Sequence, residues 1–158
     1  MTRAKIFHST PPSVVSTSAI VTAAIEVQTP GAGFFDVTAE VAAFLREAGA
    51  TEGAATLFVR HTSASLTIQE NADPSVLDDL ATALDRLAPA NAGWRHDTEG
   101  SDDMPGHIKT MLTSVSLTIP VLAGKLALGT WQAIYLIEHR HAPHRRQVVL
   151  QFSGRVGD

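Results

Sequence analysis

The order of hydrophobic patterns is the most restrictive feature of this chain: strand-like segments occupy both ends, and helix-like segments lie between them. Apolar residues fall on alternate positions from Val15 to Val27, which predicts a half-buried strand. The last third predicts four more strands, at Val115–Ile119, Lys125–Thr130, Trp131–Ile137 and Gln147–Phe152. This order favours an α+β fold with mainly antiparallel packed sheets over repeated βαβ units.

Two longer helices and one short helix are predicted in the middle of the chain. The first covers about Asp36 to Ala48, where one face is apolar. The second begins after Asp73, a good N-cap, with Pro74 at its first position, and it ends before Pro89. The short helix follows Pro105 and runs to about Ser114, written here as 105–114.

Further strands and turns complete the predicted pattern. Ala54–Val59 is an apolar run of strand formers, and Leu66–Ile68 continues as extended chain. The segments Pro120–Gly124 and His141–Arg145 separate predicted strands, so we expect a hairpin at each of them.

Length and composition limit the class of protein. The 158 residues fit one domain covering 1–158. The net charge of −4 argues against a nucleic-acid partner. The longest apolar runs hold five residues, whereas a membrane span needs roughly 20, and no apolar segment typical of a secretion signal follows the first residues. We therefore expect a cytoplasmic protein with neither a membrane nor a nucleic-acid partner.

Histidine is enriched and cysteine is absent. The chain has seven histidines and no cysteine, so a metal site must use His, Asp, Glu and other oxygen ligands. His61, His96 and His107 come from different predicted elements and could form a three-ligand site with an open position. Three imidazoles favour Zn²⁺ or another transition metal. The alternative is that these histidines lie apart, each satisfied by local hydrogen bonds.

Two short segments carry opposite charge. Residues 96–107 contain four acids and no Lys or Arg, whereas residues 140–146 contain three arginines, two histidines and no acid. Arg140, Arg145 and Arg146 could form an anion site, because the planar guanidinium suits phosphate. The alternative is that both segments are solvated loops.

Several motifs occur in order along residues 57 to about 152. They are HTSASL at 61–66, QENADP at 69–74, His96, GHIK at 106–109, SLTIP at 116–120, GKL at 124–126, LGTWQ at 128–132 and EHR with PHRR within 138–146. Together these motifs resemble the YjbQ family, also called uncharacterised protein family 0047. His96 and His107 fall on the family's second and third histidine positions. The chain departs from the family pattern at Arg140 and at Pro143-His144, where other members carry an acidic residue and Pro-Arg.

The resemblance implies an α+β homotrimer with histidine-lined pockets at or near subunit contacts. It also implies a secondary thiamine-phosphate synthase activity, which joins a pyrimidine diphosphate to a thiazole phosphate and releases pyrophosphate. An enzyme of this kind needs cations or Mg²⁺ to stabilise the leaving pyrophosphate. The other hypothesis is a metal-binding trimer of unknown substrate, either a hydrolase or a binding module.

Each candidate residue has a role in the enzyme hypothesis, whose expected partner is a small phosphorylated molecule. The candidate catalytic residues are His61, Asn71, Asp73 and Glu138; the candidate phosphate-binding residues are Arg140, Arg145 and Arg146; the candidate metal ligands are His61, His96 and His107. Asn71 and Asp73 would orient the site, although Asp73 also suits a helix cap, and Glu138 would be a general base or a metal ligand.

Overall fold

Two antiparallel sheets and three helices make up the computed structural model, which describes residues 10–157. The elements are β1 (Ala19–Thr29), β2 (Gly33–Asp36), α1 (Thr38–Glu47), β3 (Ala50–Val59), β4 (Ala64–Glu70), α2 (Pro74–Leu87), α3 (Asp103–Leu112), β5 (Ser116–Leu122), β6 (Lys125–Leu126), β7 (Gln132–Glu138) and β8 (His144–Val156). The predicted α+β class with antiparallel sheets and three helices is confirmed.

The strands form a five-stranded sheet, ordered β1-β8-β3-β5-β6, and a three-stranded sheet, ordered β2-β7-β4. One apolar core takes side chains from both sheets and from α1, including Leu57 and Leu150 from the larger sheet, Leu66 and Leu136 from the smaller, and Leu45 from the helix. Along the chain the strands change sheet six times, and two of these crossings are at β3–β4 and β7–β8.

Local signals placed most elements close to their observed positions. The α2 start is confirmed: Asp73 Oδ1 accepts a hydrogen bond from Ser75 N at 2.9 Å, and Pro74 follows the cap. The β1 strand begins at Ala19 rather than Val15. The α3 helix begins at Asp103, two residues before Pro105. It has ten residues, the same length as α1, so the prediction of two longer helices and one short helix is wrong in this respect.

Three expectations about strands need correction. β2 was not predicted, because four residues are too few to show a period. The predicted strand Lys125–Thr130 shrinks to β6, since the Gln132 side chain accepts a hydrogen bond from Gly129 N at 2.7 Å and closes a turn there. Pro120–Gly124 leads into a true hairpin of β5 and β6, whereas His141–Arg145 does not form one, because β7 and β8 lie in different sheets.

Within residues 10–157, no helix combines the length and the apolar character needed to cross a membrane.

Candidate functional site

Two histidines and an aspartate meet at the start of α3. Asp103 and His107 are four residues apart on that helix, and His96 reaches them from the preceding loop. One ligand atom from each of the three lies within 4.8 Å of the other two. His96 Nε2 is 2.8 Å from Asp103 Oδ2, and His107 Nε2 is 3.8 Å from Asp103 Oδ1. We call these three residues the His–Asp–His cluster.

One oxygen of the cluster's carboxylate lacks a hydrogen bond. Asp103 is buried, and its Oδ1 accepts a hydrogen bond from Arg140 Nη1 at 2.5 Å. Its Oδ2 accepts no hydrogen bond of good geometry, although His96 Nε2 lies 2.8 Å away. A buried carboxylate oxygen normally has a partner. The donor set, two imidazoles and a carboxylate, therefore fits a divalent transition metal.

The tautomer of His107 also suits metal binding. His107 Nδ1 lies 3.1 Å from the carbonyl oxygen of Thr62. A carbonyl can only accept, so Nδ1 carries the proton and Nε2 keeps its lone pair. Metal-binding histidines commonly donate their second ring nitrogen in this way, which fixes the orientation of the ring.

Gly106 allows α3 to lie close to the chain that supplies this carbonyl. A Cβ atom at Gly106 would lie 3.1 Å from Ser63 Cβ and 3.5 Å from Arg140 Cδ. Carbon atoms in good contact are about 3.5–4.0 Å apart, so a side chain there would push the helix away. The absence of a side chain at Gly106 thus allows the helix that carries Asp103 and His107 to lie close to the segment His61–Ser63.

A buried ion pair lies behind the same segment. Glu138, at the end of β7, accepts hydrogen bonds from Arg146 Nε at 2.6 Å, Arg146 Nη2 at 2.7 Å and Thr29 Oγ1 at 2.9 Å. The backbone N–H of Arg140 donates to it at 2.9 Å. Burial alone would raise the pKa of Glu138, but the hydrogen bonds and charge of Arg146 outweigh it and hold the pKa below its usual value.

His61 faces this ion pair through Ser63 and is not a member of the His–Asp–His cluster. Ser63 Oγ lies 3.1 Å from His61 Nδ1 and accepts a hydrogen bond from Arg146 Nη2 at 3.3 Å. Burial and the charge of Arg146 lower the pKa of His61. Of the three predicted metal ligands, the structure brings together His96 and His107, and the third member of their cluster is Asp103.

The predicted acidic and basic segments meet, and each candidate arginine has a carboxylate partner. Arg140 Nε is 3.3 Å from Asp102 Oδ1, in addition to the bond to Asp103. Arg145 is exposed and pairs with Glu26 at 3.3 Å. With Arg146 buried against Glu138, Arg145 is the one of the three whose side chain is largely open to solvent.

Asn71 and Asp73 lie at the opposite end of β4. In the β4–β7 ladder Ala64 faces Glu138, whereas Glu70 faces Gln132. Six residues of strand span about 20 Å, so one chain does not bring Asn71 or Asp73 to the histidines. The observed role of the Asp73 side chain is the α2 cap.

Sequence reasoning missed Asp103 as the third member of the His–Asp–His cluster and His139 as a buried neutral histidine. The spacing of Asp103 and His107 on one helix was a usable signal, but four acids in that segment competed for the role. His139 lies 2.8 Å from Ser65 Oγ through Nε2, and burial lowers its pKa to about 4.

Comparison with known proteins assigns the family. The family model described as "UPF0047 protein YjbQ-like" matches residues 23–155. The chain belongs to the YjbQ-like UPF0047 family. A UPF0047 protein of Synechocystis is 48% identical over 131 residues, 82% of this chain and 89% of that protein. The UPF0047 protein YugU of Bacillus subtilis is 39% identical over 121 residues, 75% of this chain and 88% of its own length.

Solved structures of this fold agree with the family assignment. A hypothetical protein of Aeropyrum pernix superposes with a TM-score of 0.79 at 29% identity, covering 85% of this chain and 99% of that one. A conserved hypothetical protein of Thermus thermophilus gives a TM-score of 0.73 at 38% identity, with the same shares of the two chains. The resemblance in the sequence motifs is thereby confirmed at the level of family and fold.

Proposed function

We propose that this UPF0047 protein is a metal-dependent enzyme acting on small phosphorylated molecules. The observation that carries the proposal is the His–Asp–His cluster, in which a buried carboxylate oxygen without a hydrogen bond faces two imidazoles. His96, Asp103 and His107 would hold the metal, with Zn²⁺ or another transition metal as the expected ion and Mg²⁺ as an alternative that would enter with a phosphorylated substrate.

Contacts around the cluster support a resident cation. Arg140 occupies Asp103 Oδ1 and leaves Oδ2 available, and Thr62 fixes the ring of His107 with its free nitrogen toward Asp103. Partners of this kind tune metal ligands. A bound divalent ion would supply Lewis-acid charge next to an anionic group.

The most concrete reaction for this site is secondary thiamine-phosphate synthesis, which the family resemblance introduced. The bond from the pyrimidine to its diphosphate breaks, a bond to the thiazole phosphate forms, and pyrophosphate leaves. Charge on the leaving group must be stabilised. Arg145 is exposed and lines an open depression of about 640 Å³ together with Thr29 and His144, and in this proposal it receives a phosphate there.

The wider setting is also part of the proposal. We expect a cytoplasmic homotrimer that acts without nucleic acid or membrane. A trimer offers one way to bring Asn71 and Asp73 of one chain towards the histidines of another, because within one chain they lie about 20 Å apart along β4.

The first experiment measures metal per chain by elemental analysis in the wild type, His107→Ala and Asp103→Asn, with His144→Ala as the control outside the cluster. We expect near-stoichiometric transition metal in the wild type and the control, and a large loss in the two cluster variants. Equal metal content in all four proteins would remove the cluster from any metal site.

The second experiment separates the synthase from the alternative of a metal-dependent hydrolase or binding module. Purified protein is mixed with the pyrimidine diphosphate and the thiazole phosphate, and both thiamine phosphate and pyrophosphate are quantified. Equal amounts of the two products, lost in His107→Ala, would support the synthase. Metal without either product favours the alternative, which the cluster supports equally well.

A further inference from the structure

The segment His61–Ser63 imposes opposite proton positions on two histidines. His107 donates from Nδ1 to the Thr62 carbonyl, which leaves Nε2 unprotonated. At His61 the direction is reversed, because the backbone N–H of Ser63 donates to Nδ1 at 3.1 Å. A backbone N–H cannot accept, so His61 Nδ1 must carry the lone pair.

The Ser63 hydroxyl strengthens this assignment. Arg146 has donors only, so its Nη2 donates to Ser63 Oγ at 3.3 Å. The Ser63 hydroxyl proton is then free to point at His61 Nδ1, 3.1 Å away. Two donors converge on this nitrogen, and neutral His61 therefore carries its proton on Nε2. Metal binding through Nε2 would require removal of that proton.

The surroundings of His61 favour an anion over a cation. Arg146, His144 and Arg140 act on His61 as positive or potentially positive neighbours, and Glu138 acts as a negative one. His61 is exposed, so a ligand can reach its side chain. His144 also lines the open depression of about 640 Å³, together with Thr29 and Arg145.

We propose that His61 is a substrate-binding residue whose Nε2–H donates a hydrogen bond to a phosphoryl oxygen, and that it does not ligate the metal. The assignment rests on the proposed function for the class of ligand, a phosphorylated small molecule. Ser63 is the positioning residue, because it holds His61 in this tautomer. The same segment then serves two sub-sites, with Thr62 orienting His107 and Ser63 orienting His61.

Nitrogen NMR of protein labelled with ¹⁵N-histidine reads the tautomer directly, with His61→Ala providing the assignment. We expect His61 to be protonated at Nε2 and His107 at Nδ1 near neutral pH. Protonation of His61 at Nδ1 would overturn the proposal. This readout does not depend on activity or on added ligand.

A second measurement compares metal content and the Kd for inorganic phosphate in wild type, His61→Ala, His61→Gln and His107→Ala. Both His61 variants should keep the wild-type metal content, whereas His107→Ala loses it. Loss of one hydrogen bond to a charged oxygen should weaken phosphate binding about 10-fold or more in His61→Ala. Glutamine places an N–H near the position of Nε2, so His61→Gln should restore most of the affinity.

Two results would refute the role of His61: loss of metal in His61→Ala to the level of His107→Ala, or unchanged phosphate affinity in that variant. Failure of the wild type to bind phosphate would also overturn it. Wild-type protein without metal would contradict the proposed function instead, and the nitrogen spectrum and the phosphate titration would still decide the role of His61.

Discussion

Substitution of Glu138 by glutamine tests the buried ion pair most directly. The side chains of Glu138 and Arg146 are 0% and 1% exposed, and two hydrogen bonds of 2.6 and 2.7 Å join them. The glutamine side chain would keep the shape but remove the charge, which leaves the Arg146 guanidinium buried without a counter-ion. Breaking such a pair from one side costs about 3–5 kcal/mol.

The matched control uses the ion pair of Arg145, the neighbour of Arg146 on β8. Arg145 pairs with Glu26 at 3.3 Å, but the two side chains are 69% and 55% exposed. Solvent screens this pair, so Glu26→Gln should cost less than about 1 kcal/mol. The double variant Glu138→Gln with Arg146→Met should be less destabilised than Glu138→Gln alone, because it removes the unpaired charge.

Urea unfolding at pH 7 and one protein concentration measures these differences in the free energy of unfolding, and thermal unfolding in the same buffer measures Tm. At this chain length about 1 kcal/mol shifts Tm by about 2–4 °C, so Glu138→Gln should lower Tm by about 6–20 °C. If Glu138→Gln and Glu26→Gln lost similar free energy, the claim that burial makes this pair strong would be wrong.

Three further predictions concern pH and packing at the site. His139 has a folded-state pKa of about 4, below its unfolded value of about 6.5. Between these pH values the unfolded chain binds more protons than the folded protein, so stability falls as the pH falls. Urea unfolding should show that wild type loses about 2 kcal/mol more than His139→Gln between pH 7 and pH 5. The pKa of Glu138 is lowered on folding. Its contribution to stability is therefore complete above its unfolded-state pKa and is lost as the pH falls through its folded-state pKa. The free energy of unfolding of Glu138→Gln should vary less with pH than that of wild type below about pH 4.5. Gly106→Ala gains about 1 kcal/mol of helix propensity but places a Cβ 3.1 Å from Ser63 Cβ. The overpacking costs about 1–3 kcal/mol, so the variant should be less stable than wild type. A variant at least as stable as wild type, with full metal content, would contradict this packing argument.

Local chemistry in the sequence was enough to place most elements but not to assemble the site. Asp73 and Pro74 start α2 through a cap whose partners are two residues apart, so the signal and the contact lie in the same short segment. The pairing of Glu138 with Arg146 depends on β7 and β8 entering different sheets. A turn-like sequence between two strands cannot distinguish that crossing from a hairpin.

The choice of metal ligands shows the same limit. Histidine enrichment pointed to His96, His107 and His61 together, because the three come from different predicted elements. The structure distinguishes His107 from His61 by what their Nδ1 atoms contact: a carbonyl oxygen for His107, and an amide N–H for His61. Such contacts depend on the turn at 61–63 and on the close approach of Gly106, and neither is visible as a residue pattern.

Crossings between the two sheets explain why polar residues are buried near Glu138. Ala64 begins β4 opposite Glu138 at the end of β7, so the crossings at β3–β4 and β7–β8 lie at the same end of the fold. Backbone groups there lose regular strand partners, and hydrogen bonds such as His139 N to Ser63 O at 3.3 Å replace part of the ladder. Glu138 ends β7 in the smaller sheet and Arg146 lies in β8 of the larger sheet, and Ser63 connects this pair to His61. Stability and site geometry are therefore coupled: loss of the Glu138 charge should disturb the tautomer of His61 as well as the free energy of unfolding, and the nitrogen spectrum of Glu138→Gln can detect that coupling.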